Sequence, residues 1–211
     1  MFITFEGIEG SGKTTQIKLL ADHLKGQGYD VVSTREPGGT EIGNDIRKIL
    51  LDAQNKHMAH ACEVLLYYAA RAQHLKELIV PSLEAGKVVL CDRFVEATMA
   101  YQGYARGVDA VVLENLNQYV LAGVKAKACL LFDLPVEVGL GRAKARADQL
   151  EVDQREDRFE NEQLEFHQKV RDGYLALAKK EPDRFCIIDA RLNVEDLHQE
   201  VLRIISEKMK K

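Results

Sequence analysis

The stretch "GIEGSGKTT" (residues 7–15) constrains this chain more than any other. Gly7, four intervening residues, Gly12, Lys13 and Thr14 have the spacing of a phosphate-binding P-loop. That motif carries meaning only between a strand and a helix, and both flanks comply. "FITFE" (2–6) is short, apolar and β-favouring, and Ile17, Leu20, Ala21 and Leu24 recur at helical spacing after the loop. Glycines allow backbone N–H groups to turn inward on phosphate oxygens. The start of the helix adds partial positive charge. Lys13 can then reach the β- and γ-phosphates, and the Thr14 hydroxyl can ligate Mg²⁺. Gly7, Gly10, Ser11, Gly12, Lys13, Thr14 and Thr15 are therefore the expected nucleotide-binding residues.

Beyond the loop, strand-like runs recur at 29–34, 87–91, 128–134 and 185–189. Several are apolar throughout, as parallel strands covered on both faces require. Helical patterns fill 13–26, 42–52, 60–85, 109–123, 136–148, 162–180 and 194–210. This alternation predicts an α/β domain with a parallel sheet flanked by helices, and no boundary divides residues 1–211. Ligands in such sheets lie at the C-terminal strand ends. Attention therefore falls on residues 6–14, 35–40, 92–102 and 134 onward. The segment 147–160 is highly charged and poorly periodic, and reads as a mobile loop.

Composition excludes several classes. A net charge of −4 provides no general polyanion-binding surface, so no nucleic-acid partner is expected. The apolar runs are too short to span a bilayer, and the chain enters its first strand without a charged leader. Cys62, Cys91, Cys129 and Cys186 are scattered, as in a reducing compartment. The expectation is a soluble cytoplasmic protein.

A P-loop alone admits a switch, a motor or a kinase. A GTPase would carry Asp-x-x-Gly and Asn-Lys-x-Asp, and neither occurs. A motor ATPase would end an apolar strand in Asp-Glu, whereas "VVLCDRF" ends in Asp92-Arg93. A cation in place of the water-activating carboxylate suits an anionic second substrate. Tyr67 and Arg71 lie four apart on one helix face, able to stack on a pyrimidine and to hydrogen-bond its carbonyl edge. Taken alone, an apolar helix with an arginine at its rim is the simpler explanation.

"TREPGG" (34–39), "LLYYAARAQH" (65–74) and "CDRFVEATMAYQG" (91–103) together resemble the thymidylate kinase family over essentially the whole chain. The resemblance implies a nucleoside monophosphate kinase fold with a five-stranded parallel sheet and a lid at about 142–160. It implies ATP-dependent phosphorylation of dTMP to dTDP for dTTP synthesis, with Mg²⁺, in a homodimer. By the same resemblance Arg35 and Arg93 bind the dTMP phosphate, a task suited to the guanidinium fork, and Pro37 holds the loop close. Tyr67 stacks on thymine, a position commonly Phe in the family, and Arg71 meets its O4. Thr98 and Gln102 contact the base. Tyr101 lies beside the sugar 2′ carbon, Glu9 near the 3′-hydroxyl, and Arg142 against adenine. Asp92 joins Thr14 in holding Mg²⁺.

The P-loop positions Ile8, Glu9, Gly10 and Ser11 include no arginine. The chain in this respect resembles the bacterial subgroup, which places basic residues in the lid. Arg142, Lys144, Arg146, Arg155 and Arg158 are available there. "DRFENEQ" aligns best with the lid motif, so Arg158 is the expected catalytic cation beside Lys13 and Arg93, with Arg155 in competition. A solvated charged loop is the plainer account of such a run. Two rivals remain: a P-loop kinase with another acceptor, and a nucleotide-binding module without transfer activity.

Overall fold

The computed structural model describes residues 1–148, 158–159 and 162–210. Its centre is a parallel sheet of five strands in the order β2-β3-β1-β4-β5: β1 (Phe2–Glu6), β2 (Val31–Arg35), β3 (Val88–Asp92), β4 (Ala128–Asp133) and β5 (Phe185–Asp189). The predicted runs become strands within two residues at each end. Central β1, the strand before the P-loop, is buried along its whole length, and Phe5 stacks on Phe132 of β4 at 5.8 Å.

Helices α1 (Lys13–Gly26) and α9 (Val194–Lys210) contact each other beside the sheet. Ile17, Leu20 and Leu24 of α1 and Leu197, Val201 and Ile204 of α9 belong to one apolar core. This is the helix face that the period-3.6 pattern of α1 announces. α8 (Leu164–Lys180) adds Val170 and Tyr174 to that core. α2 (Glu41–Leu51) begins on Thr40, whose hydroxyl accepts from Gly43 N. α6 (Ala110–Leu121) and α7 (Val136–Ala147) complete the crossovers.

Two helical segments differ from expectation. The run predicted as one helix over 60–85 is α3 (His60–His74), a π-helical turn (Leu75–Ile79) and α4 (Val80–Glu84). Pro81 lacks an N–H and would crowd the Glu77 carbonyl in a regular α-helix. The wider turn lies just before it. After β3 the chain forms α5 (Val95–Thr98) and a second π-helical turn (Met99–Ala105), in a stretch where no helix was expected.

Register assembles the site. Phe5 pairs with Asp92, and Asp92 with Arg35. Glu6 pairs with Leu131 of β4. The P-loop, Arg35 and Asp92-Arg93 therefore leave the sheet at one edge, where the strand order reverses about β1.

Candidate active site

The P-loop closes because its glycines have no Cβ. At Gly7 (φ 132°) a Cβ would lie 2.4 Å from the Phe132 carbonyl oxygen, and at Gly10 (φ 68°) 2.0 Å from that of Gly139. The loop is thus clamped between β4 and α7. Lys13 is buried, and its Nζ donates to Gly7 O (3.0 Å), Ile8 O (2.8 Å) and Ser11 Oγ (3.0 Å). Burial, with Arg93 adding to it, lowers its pKa to about 8, while Asp92, Glu9 and Glu6 pull it back up. Lys13 is therefore a charged group at neutral pH held at the lip of the loop. Thr14 Oγ1 donates to Asp92 Oδ2 at 3.0 Å, so the two expected metal ligands meet.

Arg93 adopts φ 67°, a left-handed conformation that costs a non-glycine residue about 1–2 kcal/mol. Its backbone N–H donates to Phe5 O. Its Nη1 donates to Gly7 O (2.9 Å) and Tyr174 OH (3.2 Å), and its Nη2 to Glu9 Oε1 (3.0 Å). The strained turn thus swings the guanidinium from the end of β3 across to the P-loop. Tyr101 OH also donates to Glu9 Oε1, at 2.6 Å. Beneath them the buried Glu6 accepts from Phe94 N (2.7 Å) and Tyr174 OH (2.9 Å). Burial, reinforced by Glu96, pushes the Glu6 carboxyl up to about 8, against the pull of Arg93 and its hydrogen bonds.

A cavity of about 350 Å³ opens from this point, within the range of small-molecule sites. Lys13, Thr14, Asp92, Arg93 and Arg35 line one part, and Tyr67, Arg71, Thr98, Tyr101, Gln102, Glu9 and Pro37 also face it. Arg71 is 1% exposed, an unusual burial for a guanidinium. Its Nε donates to Glu36 Oε2 (2.7 Å), and its Nη2 to Phe94 O and Thr98 Oγ1 (both 3.0 Å). Among the described residues Nη1 has no hydrogen-bond partner, which leaves one buried donor for a ligand. Glu36 is fixed in turn by His74 Nδ1 at 3.0 Å, and His74 Nε2 lies 2.7 Å from Thr34 Oγ1. Gln102 Nε2 donates to Glu63 Oε1 at 2.9 Å.

Sequence reasoning missed Glu36, Arg47, Phe94, Phe159 and, as a lining residue, Arg146. Glu36 lies inside the "TREPGG" motif and Arg146 inside the basic run that was read as the lid, so both had a signal. Phe94 and Phe159 also fall inside motifs, "CDRFVEATMAYQG" and "DRFENEQ", and Arg47 had no such signal. Arg47 donates to Pro37 O at 2.9 Å, across a turn from α2.

Arg158 departs from expectation. It does not line the cavity. Its Nη2 donates to Glu63 Oε2 at 2.6 Å and its Nη1 to Leu50 O at 3.0 Å, with the Phe159 ring 5.1 Å below. Glu63 is fully buried and needs a cation; Arg158 supplies one at Oε2, and Arg106 Nε lies 3.5 Å from Oε1. Arg146, at the end of α7, reaches the cavity instead. Arg142 Nη1 donates to Ala190 O at 2.9 Å. Arg155 and most of the expected lid loop lie outside the described residues.

A P-loop that shares one cavity with five arginines and an aromatic, amide-bearing wall defines a phosphotransferase of the nucleoside monophosphate kinase fold. The family profile for thymidylate kinase matches residues 5–201, and the chain belongs to that family. It is 56% identical over 195 residues to the thymidylate kinase of Geotalea uraniireducens (strain Rf4), covering 92% of this chain and 91% of the relative. It is 53% identical over 205 residues to that of Geobacter sp. (strain M21), covering 96% and 91%. In structure it resembles the crystal structure of thymidylate kinase from Ehrlichia chaffeensis, with a TM-score of 0.78 and 36% identity over 97% and 98% of the two chains.

Proposed function

We propose that this member of the family transfers the γ-phosphoryl group of ATP to the phosphate of dTMP, giving ADP and dTDP, with the following division of labour. The observation that carries the reading is the single cavity joining Lys13 and Thr14 to Tyr67, Arg71 and Gln102, with Arg35 and Arg93 between. Lys13 holds the β- and γ-phosphates. Arg35 and Arg93 hold the acceptor phosphate and oppose repulsion between two anions. Tyr67 stacks on thymine, and the spare Nη1 of Arg71 donates to its carbonyl edge. Tyr101 restricts the sugar to a 2′-deoxyribose, and Glu9 meets its 3′-hydroxyl. Gly7, Gly10, Ser11, Gly12 and Thr15 shape the triphosphate cradle, with Arg142 toward the adenine.

No general base is required, because a phosphate monoester with a second pKa of about 6 is mostly dianionic at neutral pH. Alignment and charge neutralisation suffice. The adjoining Thr14 hydroxyl and Asp92 carboxylate fit Mg²⁺, which takes hard oxygen ligands from one or two protein groups plus phosphates and water. When bound, the ion would neutralise charge on the β- and γ-phosphates. We assign to Arg146 the lid role expected of Arg158, because Arg146 lines the cavity and Arg158 does not.

We also propose a homodimer. Leu65 of α3 and Val111, Val112 and Tyr119 of α6 are exposed apolar side chains, 48–85% accessible, on neighbouring helices. Its four cysteines are free thiols, which suits a cytoplasmic setting. Among the described residues no helix is long and apolar enough to cross a membrane.

The test is ADP release with and without dTMP. The reading expects release that rises with dTMP and saturates, and dTMP-independent release would overturn it.

A further inference from the structure

Glu9 has one oxygen well satisfied and one that is not. Oε1 takes the hydrogen bonds of Arg93 and Tyr101. Oε2 is buried and accepts no hydrogen bond from any described residue. Nδ1 of His167, on α8, faces it at 3.4 Å. His167 is completely buried, and neither of its ring nitrogens has a hydrogen-bond partner among the described residues. A buried imidazole without partners costs stability, and an apolar side chain would fill the space beside Phe166 at less cost. The nearby group that can make use of the imidazole is Glu9.

Glu9 needs a second support. It stands on a loop, just before Gly10 at φ 68°, so no helix or strand fixes its direction. One of its two partners, Arg93, is also expected to bind the acceptor phosphate. When Arg93 turns to a ligand, Tyr101 alone would be left holding Oε1. Burial would raise the Glu9 pKa, yet Arg93, His167 and Tyr101 together hold it below the usual carboxylate range, so the group stays an acceptor.

We propose that His167 is a positioning residue for Glu9: with Nδ1 3.4 Å from Oε2, it biases the carboxylate toward the acceptor sugar, closes to a hydrogen bond when Arg93 turns to a ligand, and so sets the preference for a 3′-hydroxyl. This rests on the reading of Glu9 as a sugar contact. His167 itself touches neither substrate nor the reacting atoms.

The experiment is steady-state kinetics with dTMP and with 3′-deoxy-dTMP, on the full chain, with thermal melts to verify folding. His167→Phe is expected to raise KM for dTMP about tenfold, a loss of the size a hydrogen bond to a charged group produces. It should leave kcat, and KM for the 3′-deoxy acceptor, within about threefold. His167→Asn, whose amide nitrogen falls where Nδ1 stands, should recover most of the difference, and His167→Gln should not. That pair decides the matter if the Phe variant does not fold. In a Glu9→Gln background, His167→Phe should add nothing. A His167 variant that raises KM for both acceptors alike, or that adds its full effect to Glu9→Gln, reduces His167 to a packing residue and overturns the proposal alone. Should Glu9→Gln leave the ratio of the two acceptors unchanged, the sugar reading of Glu9 falls, and the role of His167 falls with it.

Discussion

Lys13 shows why a single side chain can be indispensable without being structural. Its three hydrogen bonds go to its own loop, and its charge is kept in a buried place where burial pulls the pKa down to about 8. A nucleotide's phosphates are the natural relief for that charge. Lys13→Ala should therefore leave the melting temperature close to wild type and lower kcat by about 10²–10³-fold or more, the usual scale for loss of one transition-state donor. Turnover within a few fold of wild type would remove the P-loop from the mechanism. The two lid arginines should separate in opposite ways. Arg146→Ala should lower kcat with little change in KM, as expected for a group that acts on charge in flight. Arg158→Ala removes the guanidinium bonded to Oε2 of buried Glu63 but leaves Arg106 Nε 3.5 Å from Oε1, so the cost should fall below the roughly 3–5 kcal/mol of an unpaired buried charge. For a domain of this size a loss of about 2 kcal/mol is a fall in Tm on the order of 5 °C. Differential scanning calorimetry beside kinetics distinguishes the two. A kcat collapse in Arg158→Ala with an unchanged Tm would restore the catalytic assignment made from the sequence.

The elements that place these side chains differ in how much of them the sequence displays. β1, β3 and β4 are buried nearly throughout, so their composition is apolar and their limits are legible within a residue or two. Arg35 closes β2 and Arg93 follows β3, which places both at the ligand edge of the sheet, and the resemblance supplied their role. The π-helical turn at Leu75–Ile79 could not be read, since a widened turn leaves the apolar periodicity of the predicted 60–85 helix almost intact, and no helix was expected through the second, Met99–Ala105. Pro81 is the one local sign of the first. β1 also carries a testable cost in Glu6. Below about pH 4.5 the group is protonated whether the chain is folded or not. Between about 4.5 and about 8 the folded state keeps a proton that the unfolded chain has released. Stability should fall as pH rises through that window. Glu6→Gln, which keeps a neutral acceptor for Phe94 N, should flatten the dependence, as Tm measured across that range would show. An unchanged slope in the variant would place the titrating group elsewhere.

At the scale of the whole molecule, the chemistry was legible where a motif is contiguous and obscure where it is assembled from distant parts. "GIEGSGKTT" fixes its own geometry. The partnership of Arg158 with Glu63 joins residues 95 apart, and that of Glu6 with Tyr174 joins residues 168 apart. No local pattern encodes either. A lid arginine and a buried tether have the same identity in sequence and differ only in what the fold brings against them. On the proposed function, one cavity selects its acceptor by a thymine wall at Tyr67 and Arg71 and a deoxyribose wall at Tyr101. Measuring kcat/KM for a panel of nucleoside monophosphates with ATP tests it most directly. The predicted order is dTMP first, dUMP lower by about 10–200-fold for its missing methyl, and the ribonucleotide of thymine lower still. dAMP, dGMP or dCMP outperforming dTMP would contradict it.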